Sequence, residues 1–364
     1  MTIDRTRVVQ SDYMHFAKLK TQATYNLASS GVANCTLAEL GATMEDLELH
    51  GDNAYGYAPL TDRIASRFSI PPACVVTAAG CSFANHLAIA ALISPGDEVL
   101  IEDPTYELLI ATLQFRQARI EKFERSSNEG WRLNADEVVA RLTPNTRLVV
   151  LTNLHNPSGA YADEQTIAAI AGGAASIGAM ELIDEVYREL MFRTRPAETS
   201  FRPDGNIVVT SSLTKAYGLS GLRCGWILAP AVLAERMRRL NDLFAVLAPH
   251  VAERLAVLAF DCLPALRARA HAMIDANRAS YIEILGFHPG LEQDVFGQGT
   301  TVFPRLVRGD GDRLFDRLIT HFDTSIVPGR FFGRPEHIRI GLGADPAMTR
   351  AGLERVSEAL ATGS

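Results

Sequence analysis

The stretch from about residue 75 to residue 230 alternates short β-rich runs with helical patterns. Several runs, such as residues 148–151 and 207–209, are entirely apolar, which is typical of strands buried on both faces of a sheet. The candidate strands are residues 74–78, 98–102, 119–123, 147–152, 181–184, 206–210 and 225–229. Alternation of this kind predicts an α/β domain with a mostly parallel seven-stranded sheet flanked by helices.

Helix boundaries can also be predicted from the sequence. Asn134 followed by Glu137 is typical of a helix start, and Asp163 is expected to cap a helix whose inner face is Ile167, Ile170, Ala171 and Ala174. After Pro230 one helical stripe runs to about Pro249, and a second helix is predicted from about residue 264 to 285. Residues 322–328 and 337–343 are predicted strands, and residues 347–360 a final helix, which together predict a smaller α+β unit.

We therefore expect two domains. Residues 40–265 form the large domain, and residues 1–39 with 266–364 form the small one. With no linker or internal repeat between them, a ligand site is expected where the two units pack together.

Charge and cysteine content narrow the functional classes. The formal net charge is −7 with both signs interspersed, which argues against a nucleic-acid partner. No apolar run approaches the roughly 20 residues of a membrane helix, and residues 1–16 lack a signal-peptide pattern. Five scattered cysteines and nine histidines without metal-ligand spacing favour reduced thiols, a cytoplasmic location and no metal site.

Lys215 is the residue with the most chemical information. It lies among hydroxyls and glycines in SSLTKAYG (residues 211–218), and Arg223 follows eight residues later. A lysine whose pKa is lowered in a pocket forms Schiff bases with carbonyl compounds. Ser212 and Arg223 are expected to bind a phosphate on the same cofactor. Considered alone, Lys215 also fits a surface turn.

A second candidate for phosphate binding is the turn at Gly80. The segment 76–85 has the pattern of a strand, a small-residue turn and a helix start. Gly80 allows close approach, and the amides of Cys81 and Ser82 are expected to face the anion at a helix N-terminus. Turns of this kind are also common without a ligand, and the Cys81 side chain fits packing better than nucleophilic attack.

Polar and aromatic residues follow three other predicted strands. Tyr106 is placed to stack on a flat ring beyond the end of its strand, although it also fits the core. Asn156, between a strand and Pro157, is expected either to donate a hydrogen bond to an oxygen on the ring of such a ligand or to cap a turn. Asp184 ends an apolar strand and needs a positive partner, either a pyridinium nitrogen or a helix N-terminus. Tyr187, three residues after Asp184, is expected to be a second hydrogen-bond donor to the same ligand oxygen.

Six segments occur together in a fixed order: GCSFAN, PTY, HNPSG, DEVY, SLTKAYG and GLRCGW, at residues 80–85, 104–106, 155–159, 184–187, 212–218 and 221–226. In this order they resemble the class I/II aminotransferases, the aspartate aminotransferase-like branch of the fold type I enzymes that use pyridoxal 5′-phosphate. The resemblance covers nearly the whole chain. It implies that Lys215 forms the internal aldimine and moves protons during transamination between an L-amino acid and a 2-oxo acid in a ping-pong cycle.

The resemblance also implies roles for residues outside these segments. Tyr55 is expected to reach the phosphate of the other subunit of a homodimer, and Arg339 to bind the substrate α-carboxylate with its planar fork. Ser30 and Gly31 are expected to lie over the substrate. Asn156 would contact substrate as well as cofactor.

Substrate choice and reaction type stay open at this level. Residues 297–303 differ from the small-domain segment often seen in the family. Arg330 and Arg334 are candidates for binding an acidic side chain, and Phe331 and Phe332 for an apolar one, or for packing between the domains.

The same residues also fit a β-elimination lyase, because pyridoxal phosphate itself carries the chemistry. A non-catalytic effector-binding module of the same fold is a weaker hypothesis, since no basic N-terminal extension is present. A nicotinamide-binding fold is disfavoured, because no G-x-G-x-x-G segment follows a predicted strand in this chain.

Overall fold

The structure is a computed structural model that describes residues 9–191, 193, 198–292 and 297–362. Its helices are α1 (Asp12–Leu19), α2 (Ala58–Phe68), α3 (Cys81–Leu92), α4 (Glu107–Phe115), α5 (Ala135–Ala140), α6 (Glu164–Ser176), α7 (Thr214–Tyr217), α8 (Ala231–Asn241), α9 (His250–Leu285), α10 (Gly311–Phe322) and α11 (Pro346–Ala361). None of these helices is long and apolar enough to cross a membrane.

The large sheet contains β2 (Val75–Ala79), β3 (Glu98–Asp103), β4 (Arg119–Glu124), β5 (Thr146–Thr152), β6 (Met180–Asp184), β7 (Ile207–Ser212) and β8 (Cys224–Leu228). The short strands are β1 (Tyr25–Asn26), β9 (Leu291–Glu292), β10 (Thr301–Val302), β11 (Arg305–Leu306), β12 (Thr324–Ser325), β13 (Val327–Pro328) and β14 (Ile338–Gly341).

The order of the seven strands positions the site. Neighbours follow the order β2-β8-β7-β6-β5-β3-β4, and β8 is the one strand of this sheet that runs opposite to the other six. The carboxyl ends of the other six strands therefore meet at one edge of the sheet, where the start of β8 also lies. The predicted fold class is confirmed, and the bounds of each of the seven strands predicted for this sheet lie within two residues of the observed ones. The strand predicted over residues 322–328 is instead two short strands, β12 and β13.

Apolar side chains cover both faces of the sheet. Val99, Ile101 and Val150 face a cluster with α3 and α8, and Val149 and Ile183 face a cluster with α2, α6 and α9. Both predicted helix caps are confirmed: the Asn134 side chain accepts from two amides of α5, and the Asp163 side chain accepts from the amide of Thr166.

The two helices after Pro230 differ from prediction. The stripe that was expected to reach Pro249 ends at Asn241, and Phe244 and Leu247 are exposed. Helix α9 begins at His250, 14 residues earlier than predicted, and continues through Pro264. Proline normally disfavours a helix interior, but buried residues on both sides of it, including Phe260, Leu263 and Leu266, pack into the large core and hold the helix together.

A separate core forms from the two ends of the chain. Phe16 of α1, Leu27 after β1, Ile340 of β14 and Val356 of α11 belong to it, and so does Tyr281 near the end of α9. The predicted boundary at residues 265 and 266 falls inside α9, and the division into residues 40–265 and the remainder stays a prediction. Residues 1–8 of the predicted small domain lie outside the described residues.

Candidate active site

A cavity of about 680 Å³ lies at the carboxyl edge of the sheet, beneath α1 and the segment after β1. Most residues that the sequence singled out line it: Ser30, Cys81, Ser82, Tyr106, Asn156, Asp184, Tyr187, Ser212, Lys215 and Arg223. They come from six separate segments of the chain. The strand order explains their meeting, because ligands in open α/β sheets bind beyond the carboxyl ends of the strands.

Lys215 lies in α7, directly after β7. Burial, followed by the positive charges of Arg339 and Arg223, lowers the pKa of its amine to about 8, against the opposing effects of Asp184 and Cys81. The segment at Gly31 lies against it, since a Cβ built on Gly31 would be 3.3 Å from Lys215 Cδ. A lysine with this pKa is partly unprotonated near neutral pH and is therefore nucleophilic.

Asp184 ends β6 and is buried. Its Oδ2 accepts from Asn85 Nδ2 (2.7 Å), and its Oδ1 accepts from the amide of Val186 (3.0 Å) and from the thiol of Cys81 (3.3 Å). Burial raises the pKa of Asp184, while these hydrogen bonds oppose the rise. A buried carboxylate held by three donors that also faces a cavity is suited to a cationic ligand atom.

Asn85 belongs to the site although the sequence reasoning did not select it. Its Oδ1 accepts from Thr210 Oγ1 (2.5 Å), which leaves its Nδ2 pointing at Asp184. The position near the start of α3 was visible in the sequence, but its pairing with a residue 99 positions away was not.

Another part of the cavity is an anion pocket lined by Cys81, Ser82, Ser212, Thr214 and Arg223 and bordered by Gly80. Gly80 caps α3 with φ 80° and ψ 168°, and a Cβ there would lie 2.3 Å from Arg223 Nη2. Arg223 Nη2 donates to the carbonyl of Ala79 (3.2 Å). The Thr214 hydroxyl is buried and has no partner among the described residues. A helix N-terminus, hydroxyls and a guanidinium make a donor set suited to a phosphate.

Two tyrosines, Tyr106 and Tyr187, line the cavity. Tyr187 donates to Ser30 Oγ (2.8 Å), and burial raises the pKa of its phenol, so it remains a proton donor at neutral pH. Tyr106 precedes α4, and its ring meets Tyr13 edge-on at a centroid distance of 5.7 Å. Its hydroxyl contacts Met14 Sδ at 3.5 Å.

Arg339 of β14 is buried next to the cavity and does not line it. Its Nη1 donates to Asn156 Oδ1 (3.1 Å), and its Nη2 donates to the hydroxyl of Tyr13 (2.8 Å) and the carbonyl of Ala28 (3.0 Å). Its Nε has no partner among the described residues. The guanidinium is thus next to the predicted site, and its Nε–H is available within the described part of the chain.

Helix α1 is the part of the site that sequence reasoning missed. Tyr13, Met14, Ala17 and Lys18 all line the cavity. Ser11 accepts from the amide of Met14, and the pair Tyr13 and Phe16 has helical spacing, so a short helix could have been predicted. Its place over the cavity could not, because it depends on packing against residues more than 300 positions away.

Other candidates lie elsewhere. Tyr55 is 47% exposed and does not line the cavity. Phe331 and Phe332 are buried in the small core, which fits the packing role. Arg330 pairs with Asp312 (2.6 Å) and Arg334 with Asp103 (3.0 Å), away from the cavity lining. Within the described part of the chain no cluster of three or more metal-ligating residues occurs.

Comparison with known proteins defines the family. The model of aminotransferase class I and II matches residues 34–360. This chain belongs to the class I and II aminotransferases.

Among the curated relatives of this aminotransferase, capreomycidine synthase of Streptomyces vinaceus is 31% identical over 94% of this chain and 91% of its own. The arginine–pyruvate transaminase of Pseudomonas aeruginosa is also 31% identical, over 82% and 79%. The fold is that of a pyridoxal-phosphate-dependent aminotransferase from Streptococcus suis, with a TM-score of 0.89, 23% identity and 96% coverage of both chains. The protein is thus a pyridoxal-phosphate-dependent transferase.

The residues present fit pyridoxal 5′-phosphate. The anion pocket suits its phosphate, since it has an unused buried hydroxyl and a glycine whose Cβ would collide with Arg223. Asp184 suits a protonated ring nitrogen, and Lys215 has the lowered pKa that bonding to an aldehyde requires.

Proposed function

We propose that this enzyme moves the amino group of an L-amino acid to a 2-oxo acid in two half-reactions, using Lys215 and Asp184 as its principal catalytic residues. The observation that supports this most strongly is their joint position. A lysine with a pKa of about 8, a buried carboxylate and an anion pocket line the same cavity. Pyridoxal phosphate supplies an aldehyde for amines and a ring that withdraws electrons from the substrate Cα.

Lys215 has two roles in this proposal. Its Nζ would be the point at which the cofactor is held covalently. Once unbound, the same Nζ would accept a proton from the substrate Cα. A general base is most efficient when its pKa lies near the pH at which the enzyme works. The pKa of about 8 for Lys215 meets that condition near neutral pH.

The other residues would hold the cofactor ring and its phosphate. Asp184 would keep the ring nitrogen protonated, and Asn156 and Tyr187 would donate to the ring oxygen. Tyr106 would stack on the ring. The amides of Cys81 and Ser82 at Gly80 would bind the phosphate together with Ser212 and Arg223.

Arg339 would bind the substrate α-carboxylate, with Ser30, Gly31 and Asn156 enclosing the substrate. Because its Nη2 already donates to Tyr13 and Ala28, the carboxylate would use the free Nε and compete with the Tyr13 hydroxyl. One relative is named an arginine–pyruvate transaminase, and this name supports an amino acid as amino donor and a 2-oxo acid as acceptor for this enzyme as well.

The test is to load the protein with pyridoxal phosphate and add each of the twenty L-amino acids without an acceptor. Transamination predicts loss of the visible absorption of the bound cofactor and one equivalent of 2-oxo acid per site. Lys215→Ala should lose covalent attachment, measured as protein mass after borohydride reduction, together with turnover. Normal turnover of that variant would contradict the assignment.

A second candidate is β-elimination in the same cavity. The observation that favours keeping it is the 31% identity to a relative named a synthase and not a transaminase, over 94% of the chain. Ammonia that accumulates without an acceptor, while the cofactor absorption persists, would favour this reaction in the same assay.

The enzyme would act as a homodimer with sites at the subunit interface. Tyr55, Val246 and Leu247 line one small surface cavity and are each about half exposed or more, as expected of an apolar interaction surface. Mixing Tyr55→Phe and Lys215→Ala subunits tests this proposal. If Tyr55 reaches the site of the other subunit, a hybrid dimer has one site with both Lys215 and Tyr55 intact, and it should recover activity.

We also propose a cytoplasmic location, since all five cysteines are free thiols.

A further inference from the structure

A buried ion pair lies just behind the cavity, where none of the proposed steps uses it. Arg125 Nη1 donates to Glu102 Oε2 at 2.9 Å, and neither side chain has any exposed surface. Burial raises the pKa of Glu102, against the effect of Arg125. Since the cost of burying two charges can exceed their attraction, stability alone is a weak reason for this pair.

The other oxygen of Glu102 joins two loops of the site. Its Oε1 accepts from the amide and hydroxyl of Thr152 (2.8 and 2.6 Å) and from Thr105 Oγ1 (3.4 Å). Thr105 directly precedes Tyr106, and Thr152 ends β5 four residues before Asn156. One carboxylate thus contacts the bases of two loops that carry proposed ring-binding residues, Tyr106 and Asn156.

Thr152 extends this contact to Asn156. A hydroxyl has one proton to donate, and the short contact assigns it to Glu102. The oxygen of the hydroxyl then accepts from the amide of Asn156 at 3.0 Å. On the far side Asn156 Oδ1 accepts from Arg339, so the Asn156 Nδ2 remains available to the cavity.

We propose that Glu102, neutralised by Arg125, is a positioning residue that fixes Asn156 through the Thr152 hydroxyl and steadies the Tyr106 turn through Thr105. This inference rests on the proposed function, because it assigns Asn156 to the ring oxygen. Of the residues it adds, Thr152 lines the cavity, whereas Glu102, Arg125 and Thr105 do not and can act only through their neighbours.

The chain contains a matched control. At the opposite ends of β3 and β5, Glu98 accepts from Thr146 Oγ1 at 2.6 Å and pairs with Arg119. Thr146 is buried like Thr152, yet it lies at the edge of the sheet away from the cavity. Thr146→Val therefore deletes the same kind of hydrogen bond between the same strands.

The experiment compares Thr152→Val, Thr152→Ser and Thr146→Val, each loaded with pyridoxal phosphate. The readout is the pH midpoint of the visible absorption change of the bound cofactor, with thermal unfolding measured in parallel. In Thr152→Val the Asn156 amide loses the hydroxyl that holds it, so the Asn156 side chain should no longer donate reliably to the ring oxygen. The midpoint should therefore move upward by about half a pH unit or more. Thr152→Ser should keep the wild-type midpoint, and Thr146→Val should lose stability without a shift.

A double variant tests the route. In an Asn156→Ala background, Thr152→Val should add no further shift, because its effect acts through Asn156. An unchanged midpoint in Thr152→Val, an equal shift in Thr146→Val, or an undiminished shift without Asn156 would each overturn the inference. A wild-type protein that shows no absorption from attached cofactor would instead overturn the proposed function, and this inference with it.

Discussion

Replacing Gly80 by alanine should selectively weaken binding of the cofactor phosphate. Gly80 has φ 80° and ψ 168°, a region that residues with a Cβ enter at a cost of about 1–3 kcal/mol. The new Cβ would lie 2.3 Å from Arg223 Nη2, so the guanidinium must move. Because this is the end of an exposed, flexible side chain, the movement itself is inexpensive, and its consequence is a lost phosphate contact.

The expected magnitude follows from that contact. A hydrogen bond to a charged group contributes about 1.5–3 kcal/mol, which corresponds to roughly 10- to 100-fold weaker binding. Gly80→Ala should therefore bind pyridoxal phosphate about 10- to 100-fold more weakly, while its affinity for pyridoxal, which has no phosphate, changes little. The ratio of the two dissociation constants, measured by absorption titration of the cofactor-free protein, isolates the phosphate contribution.

Gly96→Ala is the matched control. Gly96 has φ 88°, and a Cβ there would have no heavy atom within 4 Å, so the variant carries backbone strain of about 1–2 kcal/mol without a collision. It should lose thermal stability but retain the wild-type ratio of dissociation constants. Equal loss of affinity for both ligands in Gly80→Ala, or an altered ratio in Gly96→Ala, would refute the argument.

Three further predictions follow from the titratable groups. Since burial lowers the pKa of Lys215 to about 8, the rate of covalent cofactor attachment should rise with pH up to about 8 and level off above it; a flat profile across that pH would contradict this. Asp184→Asn should lower turnover by about 10²-fold or more, measured with a saturating amino acid, because a neutral amide cannot hold the ring nitrogen protonated. Glu181 is fully buried and neither oxygen has a partner in the described ranges, which raises its pKa well above normal. Its contribution to stability is present at acidic pH and is lost as pH rises, so Glu181→Gln should unfold at a higher temperature than wild type at pH 8, and at pH 5 the difference should shrink.

Much of the large domain could be predicted because its signals are local. Short apolar runs that alternate with helical patterns, such as residues 148–151, indicate buried strands. Asn134 and Asp163 mark helix starts through hydrogen bonds that span at most three residues. The helix patterns near Pro249 and Pro264 were wrong for the opposite reason. There the packing of α9 on the large core outweighs the local preference of proline.

The sequence by itself determined the alternating fold, the family and the residue types needed for pyridoxal phosphate, because each depends on short segments and their order. Only the tertiary structure decided which atoms meet. It placed α1 over the cavity, paired Asn85 with Asp184, buried Arg339 against Tyr13, and joined Glu102 to the loops of Tyr106 and Asn156. These contacts join residues far apart in the chain, so they depend on strand order and domain packing, which no local pattern encodes.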